Sequence, residues 1–169
     1  MAEGHDRIDR IQFLRGRFRG APPAIRPPWA LGETAFLDTC ERCESCADAC
    51  PEGIIGKGSG GFPAIDFKTG ECTFCEDCAE ACPSGALVLY AAEPPHTKRP
   101  PWSLRAEIGE GCIARAGVEC RVCGEFCETR AIRFRLAVGG AALPEIDDDA
   151  CTGCGACVAP CPVGAVAVR

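Results

Sequence analysis

Cysteine spacing constrains this chain more than any other feature. Sixteen of its 169 residues are cysteine, and they fall into four groups of four. Three groups follow the spacing C-x2-C-x2-C-x3-C-P, and their members are Cys40, Cys43, Cys46 and Cys50, then Cys72, Cys75, Cys78 and Cys82, and finally Cys151, Cys154, Cys157 and Cys161. The third group in chain order opens with seven intervening residues instead of two, is followed by Glu128 instead of proline, and consists of Cys112, Cys120, Cys123 and Cys127. Thiols that served only as small apolar side chains would not repeat with this period, so the sulfur atoms are predicted to act in sets.

This spacing is that of bacterial ferredoxins, which bind [4Fe–4S] clusters. Three cysteines in a tight loop can reach three corners of one cluster, and the fourth, on the short helix that follows, reaches the neighbouring cluster. The sequence therefore predicts short helices at residues 47–50, 79–82, 124–127 and 158–161. Proline does not continue a helix easily, so Pro51, Pro83 and Pro162 are expected to turn the chain into the next strand. Sixteen thiolates suffice for four [4Fe–4S] clusters with none left over.

Two other uses of cysteine fit the sequence less well. Structural zinc sites take C-x2-C pairs that are separated along the chain, whereas these groups hold three or four cysteines close together. Disulfide scaffolds belong to small secreted chains, but the N-terminal residues MAEGHDRIDRIQF contain no apolar signal segment. No apolar run approaches the roughly 18 residues of a membrane span. These features favour a soluble protein with reduced thiols, which we expect in the cytoplasm.

The chain also contains an internal duplication. RPPWAL at residues 26–31 precedes the first cysteine motif, and RPPWSL at residues 99–104 precedes the third. The tryptophans of these two lead-ins, Trp29 and Trp102, are predicted to pack on their own lobes. The repeat divides the chain into a basic arm, a first lobe, a proline-rich linker and a second lobe, at residues 1–25, 26–92, 93–101 and 102–169. The predicted fold class is α+β, a tandem pair of bacterial-type 2[4Fe–4S] ferredoxin-like lobes, with the linker as a stiff spacer between them.

The duplication predicts how the cysteines are shared. Within each lobe, the last cysteine of one motif should serve the cluster of the other motif. In the first lobe, cluster 1 would be held by Cys40, Cys43, Cys46 and Cys82, and cluster 2 by Cys72, Cys75, Cys78 and Cys50. In the second lobe, cluster 3 would be held by Cys112, Cys120, Cys123 and Cys161, and cluster 4 by Cys151, Cys154, Cys157 and Cys127. The alternative is a nested order, in which the first motif pairs with the fourth.

Short apolar runs between the motifs predict strands. Residues 54–55 and 62–67 are expected to form a hairpin, and residues 87–90 a further strand. The strands predicted in the second lobe are residues 132–136, 143–146 and 165–169. The turn of the first hairpin, residues 56–61, satisfies G-x-G-x-x-G. Because a strand-like segment follows it instead of a helix, we predict a hairpin turn and not a dinucleotide site.

Charge distinguishes the N-terminal arm from the rest of the chain. The formal net charge is −6, and four clusters with their thiolates, each adding about −2, bring it to about −14. Such an anionic protein is unsuited to nucleic acid and suited to a partner with a basic docking patch. The arm is the exception, because it crowds Arg7, Arg10, Arg15, Arg17 and Arg19. Its apolar residues recur at helical spacing, which predicts either a basic amphipathic helix or a frayed cationic tail.

Together these motifs resemble the NapF family, the ferredoxin-type accessory proteins of the periplasmic nitrate reductase system. The resemblance covers nearly the whole chain and rests on FLRGR at residues 13–17, RPPW before the first cysteine, CTFCEDCAEACP at residues 72–83 and the long opening of the third motif at residues 111–120. It implies a cytoplasmic protein that contacts the precursor of the nitrate reductase catalytic subunit, a molybdenum enzyme with its own [4Fe–4S] cluster. The implied role is maturation of that precursor before export, by electron transfer or cluster assembly.

No residues outside the cysteines suggest bond chemistry on a substrate. The sequence contains no arrangement of paired carboxylates or of a nucleophile with its base, so we expect no catalytic residues and no enzyme activity. The predicted role is that of an electron carrier or assembly factor with four [4Fe–4S] clusters. The alternatives are a general electron-transfer polyferredoxin and an iron–sulfur subunit of a redox complex. Since lobes of this size bury little apolar surface, the chain without iron is expected to be largely unfolded.

Overall fold

The computed structural model describes residues 24–91, 97–136 and 139–169, which include all sixteen cysteines. Its helices are short, and they are α1 (Glu33–Thr39), α2 (Ser45–Asp48), α3 (Asp77–Glu80) and α4 (Val122–Glu125). Its strands are β1 (Ile55–Lys57), β2 (Pro63–Ile65), β3 (Ala106–Ile108), β4 (Ile132–Arg135), β5 (Leu143–Ile146) and β6 (Val166–Val168). No helix in these ranges is long and apolar enough to cross a membrane. Short helices and strands are mixed, as predicted, while the predicted arm lies outside the described residues except for its last two.

The first half of the chain, residues 24–91, contains the predicted hairpin. β1 and β2 pair antiparallel, with Ile55 opposite Ile65. The glycine-rich segment 56–61 makes the turn between them and includes the 3-10 turn Ser59–Gly61. Two glycines of this turn have positive φ angles, a conformation that other residues seldom adopt. The G-x-G-x-x-G pattern is therefore a turn between strands, which confirms that prediction.

The second half, residues 102–169, contains two separate two-stranded sheets. β4 pairs antiparallel with β5, placing Ile132 opposite Ile146. β3 pairs antiparallel with β6, placing Ala106 opposite Val168. Strands β4, β5 and β6 lie within the segments predicted for them. β3 has no counterpart among the predictions, because three residues give too short an alternating pattern to recognise.

The helices within the first three motifs begin two residues earlier than predicted. The final cysteine of each of these motifs therefore follows the helix instead of ending it. The fourth predicted helix, at residues 158–161, is wrong, because the structure has turns there. Pro160 explains the difference: it lacks an N–H group, and it disfavours the helical conformation of the residue before it.

The strand predicted at residues 87–90 is also wrong. The structure has two isolated bridges there instead, which are Leu87–Ala30 and Tyr90–Lys98. Both partner residues lie next to an RPPW lead-in. Its adjacent prolines cannot donate hydrogen bonds to a ladder, so the pairing cannot extend into a strand.

The first lead-in is part of the core of the first half. The guanidinium of Arg26 donates to both carboxylate oxygens of Glu33 and to the carbonyl of Pro63, each at 3.0 Å. Its Cζ also lies 5.1 Å from the ring centroid of Phe36 and 5.7 Å from that of Phe62. Glu33 stands in the first turn of α1, where a carboxylate interacts favourably with the helix dipole. These contacts fix α1 against the hairpin, with Phe36 fully buried between them.

Replacing Phe36 by alanine should lower the free energy of unfolding by about 3–5 kcal/mol. The ring is 0% exposed, so its removal leaves a cavity that the surrounding core can fill only in part. Denaturant titration of the anaerobic, iron-loaded protein measures the change. Leu136→Ala is the control, because Leu136 is 80% exposed and should shift the free energy by less than about 0.5 kcal/mol. Equal shifts in the two variants would contradict this description of the core.

The connecting segment, residues 97–101, folds back on the first half. The backbone amide of Trp29 donates to the carbonyl of Pro101 at 2.7 Å, and its indole Nε1 donates to the carbonyl of Arg99 at 3.0 Å. The amide of Arg99 in turn donates to the carbonyl of Leu89 at 2.7 Å. The described part of the linker is thus hydrogen-bonded to the first half. It joins the two lead-ins to each other.

The two tryptophans occupy different places. Trp29 is buried in the hydrophobic cluster of the first half, as predicted. Trp102 also packs across the boundary, against Phe67 and Phe74 of the first half, so its prediction was incomplete. The cluster of the first half is the larger one and also includes Val168 from β6. A smaller cluster in the second half consists of Ala106, Cys123, Ile132, Cys157 and Val166.

Candidate metal centres

Cysteines from different motifs meet in three cavities. The first set, which lines a cavity of about 110 Å³, is Cys40, Cys43, Cys46 and Cys82. The second set lines another cavity and is Cys50, Cys72, Cys75 and Cys78. The third set, in the second half, is Cys112, Cys120, Cys123 and Cys161. In each cavity, three cysteines of one motif are joined by the last cysteine of the other motif in the same half.

The four remaining cysteines, which are predicted to hold the fourth cluster and are called the fourth set, are Cys127, Cys151, Cys154 and Cys157. Three of them lie in or against the hydrophobic cluster of the second half. Cys157 is buried in that cluster, and Cys127 and Cys151 pack against it. The amide of Ala106, in β3, donates to the sulfur of Cys151 at 3.4 Å. The carbonyl of Cys154 accepts a hydrogen bond from the amide of Cys72, in the first half, at 2.8 Å. Part of this set therefore lies where the two halves meet.

In three of the four motifs, the residues on both sides of the second cysteine have a left-handed backbone, which shapes the loop. The flanking residues with positive φ are Arg42 and Glu44 in the first motif, Phe74 and Glu76 in the second, and Gly153 and Gly155 in the fourth. Non-glycine residues seldom adopt this conformation, and such outliers are typical of ligand sites. Sequence reasoning missed this shared geometry, because only the fourth motif carries glycine at both positions.

The third motif reaches its cavity by another route. Backbone hydrogen bonds connect the residues of segment 112–118 into consecutive turns, and Gly117 has a φ of 86°. Ala114, within this segment, is buried. The insertion is thus compact, so Cys112 and Cys120 still line one cavity despite the seven residues between them.

Glu119 attaches the end of this loop to the rest of the second half. Its carboxylate accepts a hydrogen bond from Nε of Arg121 at 2.7 Å and another from the amide of Ala142 at 3.1 Å. These hydrogen bonds, that of Arg121 foremost, lower the pKa of the Glu119 carboxyl. Arg121 also lies over the ring of Phe134, with its Cζ 5.4 Å from the centroid. The end of the loop is therefore hydrogen-bonded to the residue before β5, and Arg121 contacts β4.

The third cysteine of every motif is buried. Burial, followed by the charge of neighbouring thiols, raises the thiol pKa to about 11 for Cys46 and Cys123 and to about 12 for Cys78 and Cys157. Such thiols remain protonated near neutral pH unless a metal ion displaces the proton. At the surface, the Ser45 hydroxyl has the opposite effect and lowers the pKa of Cys43.

Hydrogen-bond donors accompany several of the sulfur atoms. A hydroxyl group lies two residues after the cysteine in three cases, and the pairs are Cys43–Ser45 at 3.4 Å, Cys82–Ser84 at 3.7 Å and Cys127–Thr129 at 3.6 Å. The amide of Ala165 donates to the sulfur of Cys161 at 3.2 Å. Donors of this kind favour an anionic sulfur, and hydrogen bonds to ligand sulfurs help to set the potential of an iron–sulfur cluster.

The thiols of three sets converge on cavities. All sixteen cysteines are free. In the ranges that the structure describes, no three His, Cys, Asp or Glu side chains are grouped so that they could hold one metal ion. The first, second and third sets each line a cavity, and four thiolates converge in a similar way around an iron–sulfur cluster.

The family comparison agrees with this chemistry. The model of the 4Fe-4S dicluster domain matches residues 39–86 and again residues 118–165. The first match covers both motifs of the first half, and the second covers three cysteines of the third motif and all of the fourth. The protein is therefore an iron–sulfur protein with two tandem dicluster domains, and such ferredoxin-type proteins are electron carriers.

Comparison with individual proteins identifies the family within this class of iron–sulfur proteins. The ferredoxin-type protein NapF of Escherichia coli K12 is 44% identical over 157 residues, which cover 93% of this chain and 92% of the relative. NapF of Haemophilus influenzae is 40% identical over 174 residues, which cover 97% of this chain and 95% of the relative. The methylamine utilization ferredoxin-type protein MauM of Methylorubrum extorquens is 32% identical over 172 residues, which cover 93% and 76%. The chain belongs to the NapF family of ferredoxin-type proteins.

Proposed function

We propose that each half is a bacterial-type ferredoxin lobe and that the sixteen cysteines hold four [4Fe–4S] clusters. The lobes span residues 26–92 and 102–169, and residues 93–101 link them. Clusters 1, 2, 3 and 4 are held by the first, second, third and fourth sets, respectively. The cavities lined by cysteines from two consecutive motifs support this sharing. So does the extent of each dicluster match, which spans consecutive motifs and not nested ones.

When bound, such clusters supply one-electron exchange, and the chain provides their environment. The buried third cysteine of each motif anchors a cluster on its protein side, and the exposed Cys43 and Cys75 mark the solvent side of clusters 1 and 2. Hydroxyl groups such as that of Ser45, and the amides of Ala106 and Ala165, donate to ligand sulfurs. These donors stabilise negative charge on the ligands and thereby favour the reduced state.

The protein acts in maturation of the precursor of the periplasmic nitrate reductase catalytic subunit, in the cytoplasm and before export. It does so by supplying electrons or by helping to assemble the cluster of that subunit. The observation that carries this proposal is the 44% identity to NapF over almost the full length of both chains. The net negative charge of the chain and the five arginines within residues 1–25 supply charges of both signs for such a partner.

A binding experiment with a matched control tests the partner. The iron-loaded chain should capture the purified precursor anaerobically. Removal of residues 1–25 should weaken capture, and raised salt should weaken it further. A strain without this protein should contain nitrate reductase that is under-active and incompletely loaded with iron or molybdenum. Fully active and fully loaded enzyme in that strain would exclude the maturation role.

A second candidate function is general electron transfer, as a polyferredoxin or as an iron–sulfur subunit of a redox complex. The similarity to MauM favours it, because that relative is named for methylamine utilization and shares nearly the whole length of this chain. Under this alternative, several redox partners should exchange electrons with the protein at similar rates. The maturation role instead requires selective binding of one precursor, so a panel of partner proteins distinguishes the two.

A further inference from the structure

We propose that the two halves form a single electron-conducting unit, joined where Cys72 meets Cys154 and held closed by Trp102. The proposal rests on the ligand sets proposed above and goes beyond them, because two separate ferredoxin lobes would satisfy those sets equally well. It orders the four sites in one row: first, second, fourth, third.

Direct contact between two ligand residues defines the junction. The amide of Cys72, in the second set, donates to the carbonyl of Cys154, in the fourth set, at 2.8 Å. The backbones of the two sets are therefore hydrogen-bonded across the boundary between halves. The second and fourth sets become neighbours, whereas the first and third sets lie at opposite ends of the row.

Trp102 bridges the same boundary. Its ring makes edge contacts with Phe67 and Phe74 of the first half, at centroid distances of 5.9 and 5.6 Å. Its indole Nε1 donates to the carbonyl of Thr152, in the second half, at 2.9 Å. Phe67 and Phe74 lie on either side of Cys72 along the chain, and Thr152 precedes Cys154 by two residues. Trp102 is thus a positioning residue for the junction, although it ligates nothing itself.

The glycine at position 155 shows how closely the halves approach. Gly155 has a φ of 83°, but Glu44 and Glu76 hold the equivalent positions of other motifs with similar angles and carry side chains. The left-handed backbone alone therefore does not require glycine there. A Cβ added at Gly155 would lie well within 3.0 Å of the ring of Phe67, a distance that real Cβ atoms essentially never show. The glycine is needed because the first half occupies that space.

The step that the junction supports is the movement of one electron. The site on one side of Cys72–Cys154 is oxidised by one electron and the site on the other side is reduced by the same electron. No covalent bond forms or breaks, and the residues of the junction need not exchange a proton. An electron that enters at the exposed Cys43 end can in this way reach the third set in the other half.

The experiment compares the anaerobic, iron-loaded protein with two variants that open the junction, Trp102→Ala and Gly155→Ala. Tyr90→Ala and Gly139→Ala are the matched controls, because Tyr90 is half exposed and Gly139 is a left-handed glycine (φ 72°) with open space where a Cβ would lie. Hydrogen exchange of the Cys72 amide reports closure, and electron paramagnetic resonance of the fully reduced protein reports spin interaction between sites. Iron content reports whether all four clusters are present.

In the unmodified protein, the Cys72 amide should be protected and the spectrum should be broadened by interaction across the junction. Both opening variants should exchange this amide about tenfold faster or more. They should lose part of the broadening and retain their iron, while the controls change neither. Low iron content in the unmodified protein would contradict the proposed ligand sets. If the iron content is full, an unprotected Cys72 amide in the unmodified protein would overturn the junction alone. Opening variants whose Cys72 amide exchanges faster but whose spectra do not change would overturn it as well.

Discussion

Replacement of Cys82 by serine should reproduce the defect of Cys43→Ser and not that of Cys75→Ser. Cys82 and Cys75 belong to the same sequence motif, but Cys82 lines the first cavity together with Cys43, whereas Cys75 lines the second. Each substitution should lower the iron content from about 16 to about 12 atoms per chain. The identity of the lost cluster, seen in the spectra of the reduced protein, then distinguishes the two sites.

Cys50→Ser is the reciprocal variant and should match Cys75→Ser. Cys43 and Cys75 are suitable references, because both are exposed and their substitution leaves the buried core intact. Absorption, iron analysis and electron paramagnetic resonance of the anaerobic variants provide the comparison. The nested order makes a different prediction, since Cys161, the last cysteine of the fourth motif, would then share its defect with Cys43. That result would refute the sharing of cysteines within each half.

Removal of iron should unfold most of the chain. The cluster of buried residues in the second half has five members, and two of them, Cys123 and Cys157, are proposed ligands. All helices in the described ranges except α1 have four residues, and no strand there exceeds four. Elements this short are not stable by themselves. Without iron, the buried cysteines lose the bonds that hold their loops together.

Chelation under anaerobic conditions, followed by circular dichroism and proton NMR, measures this effect. The second half should lose its dispersed signals more completely than the first, because its hydrophobic cluster is smaller and richer in cysteine. Addition of iron and sulfide should restore the spectra, which controls for irreversible damage. Near-native dichroism after complete removal of iron would show that the apolar core suffices for folding.

The cysteine spacing carried most of the information about the candidate sites. Because thiolates must converge on one small inorganic group, their separation along the chain limits the loop geometry strongly. The hairpin of the first half was predictable for a similar reason, since glycines at residues 56–61 permit a turn that few other residues allow. These features are local, and each is encoded within about ten residues.

The features that sequence analysis missed depend on distant segments. β3 forms because Ala106 and its neighbours pair with the end of the chain, which no local pattern indicates. Arg42, Glu44, Phe74 and Glu76 adopt positive φ although their residue types disfavour it, so tertiary context overrides preference. Pro160, in contrast, was a visible signal against the predicted helix at residues 158–161.

The contact between the two lead-ins determines where the chain could be divided to give a fragment of the first half with all its hydrogen bonds. The indole and amide of Trp29 have their acceptors in Arg99 and Pro101, beyond the end of the first half. An excised fragment that stopped at residue 92 would bury an indole N–H with no acceptor, whereas one that continued through residue 101 would keep both hydrogen bonds. The two duplicated halves are thus not interchangeable, because Arg99 and Pro101 of the second lead-in accept hydrogen bonds from Trp29 of the first half.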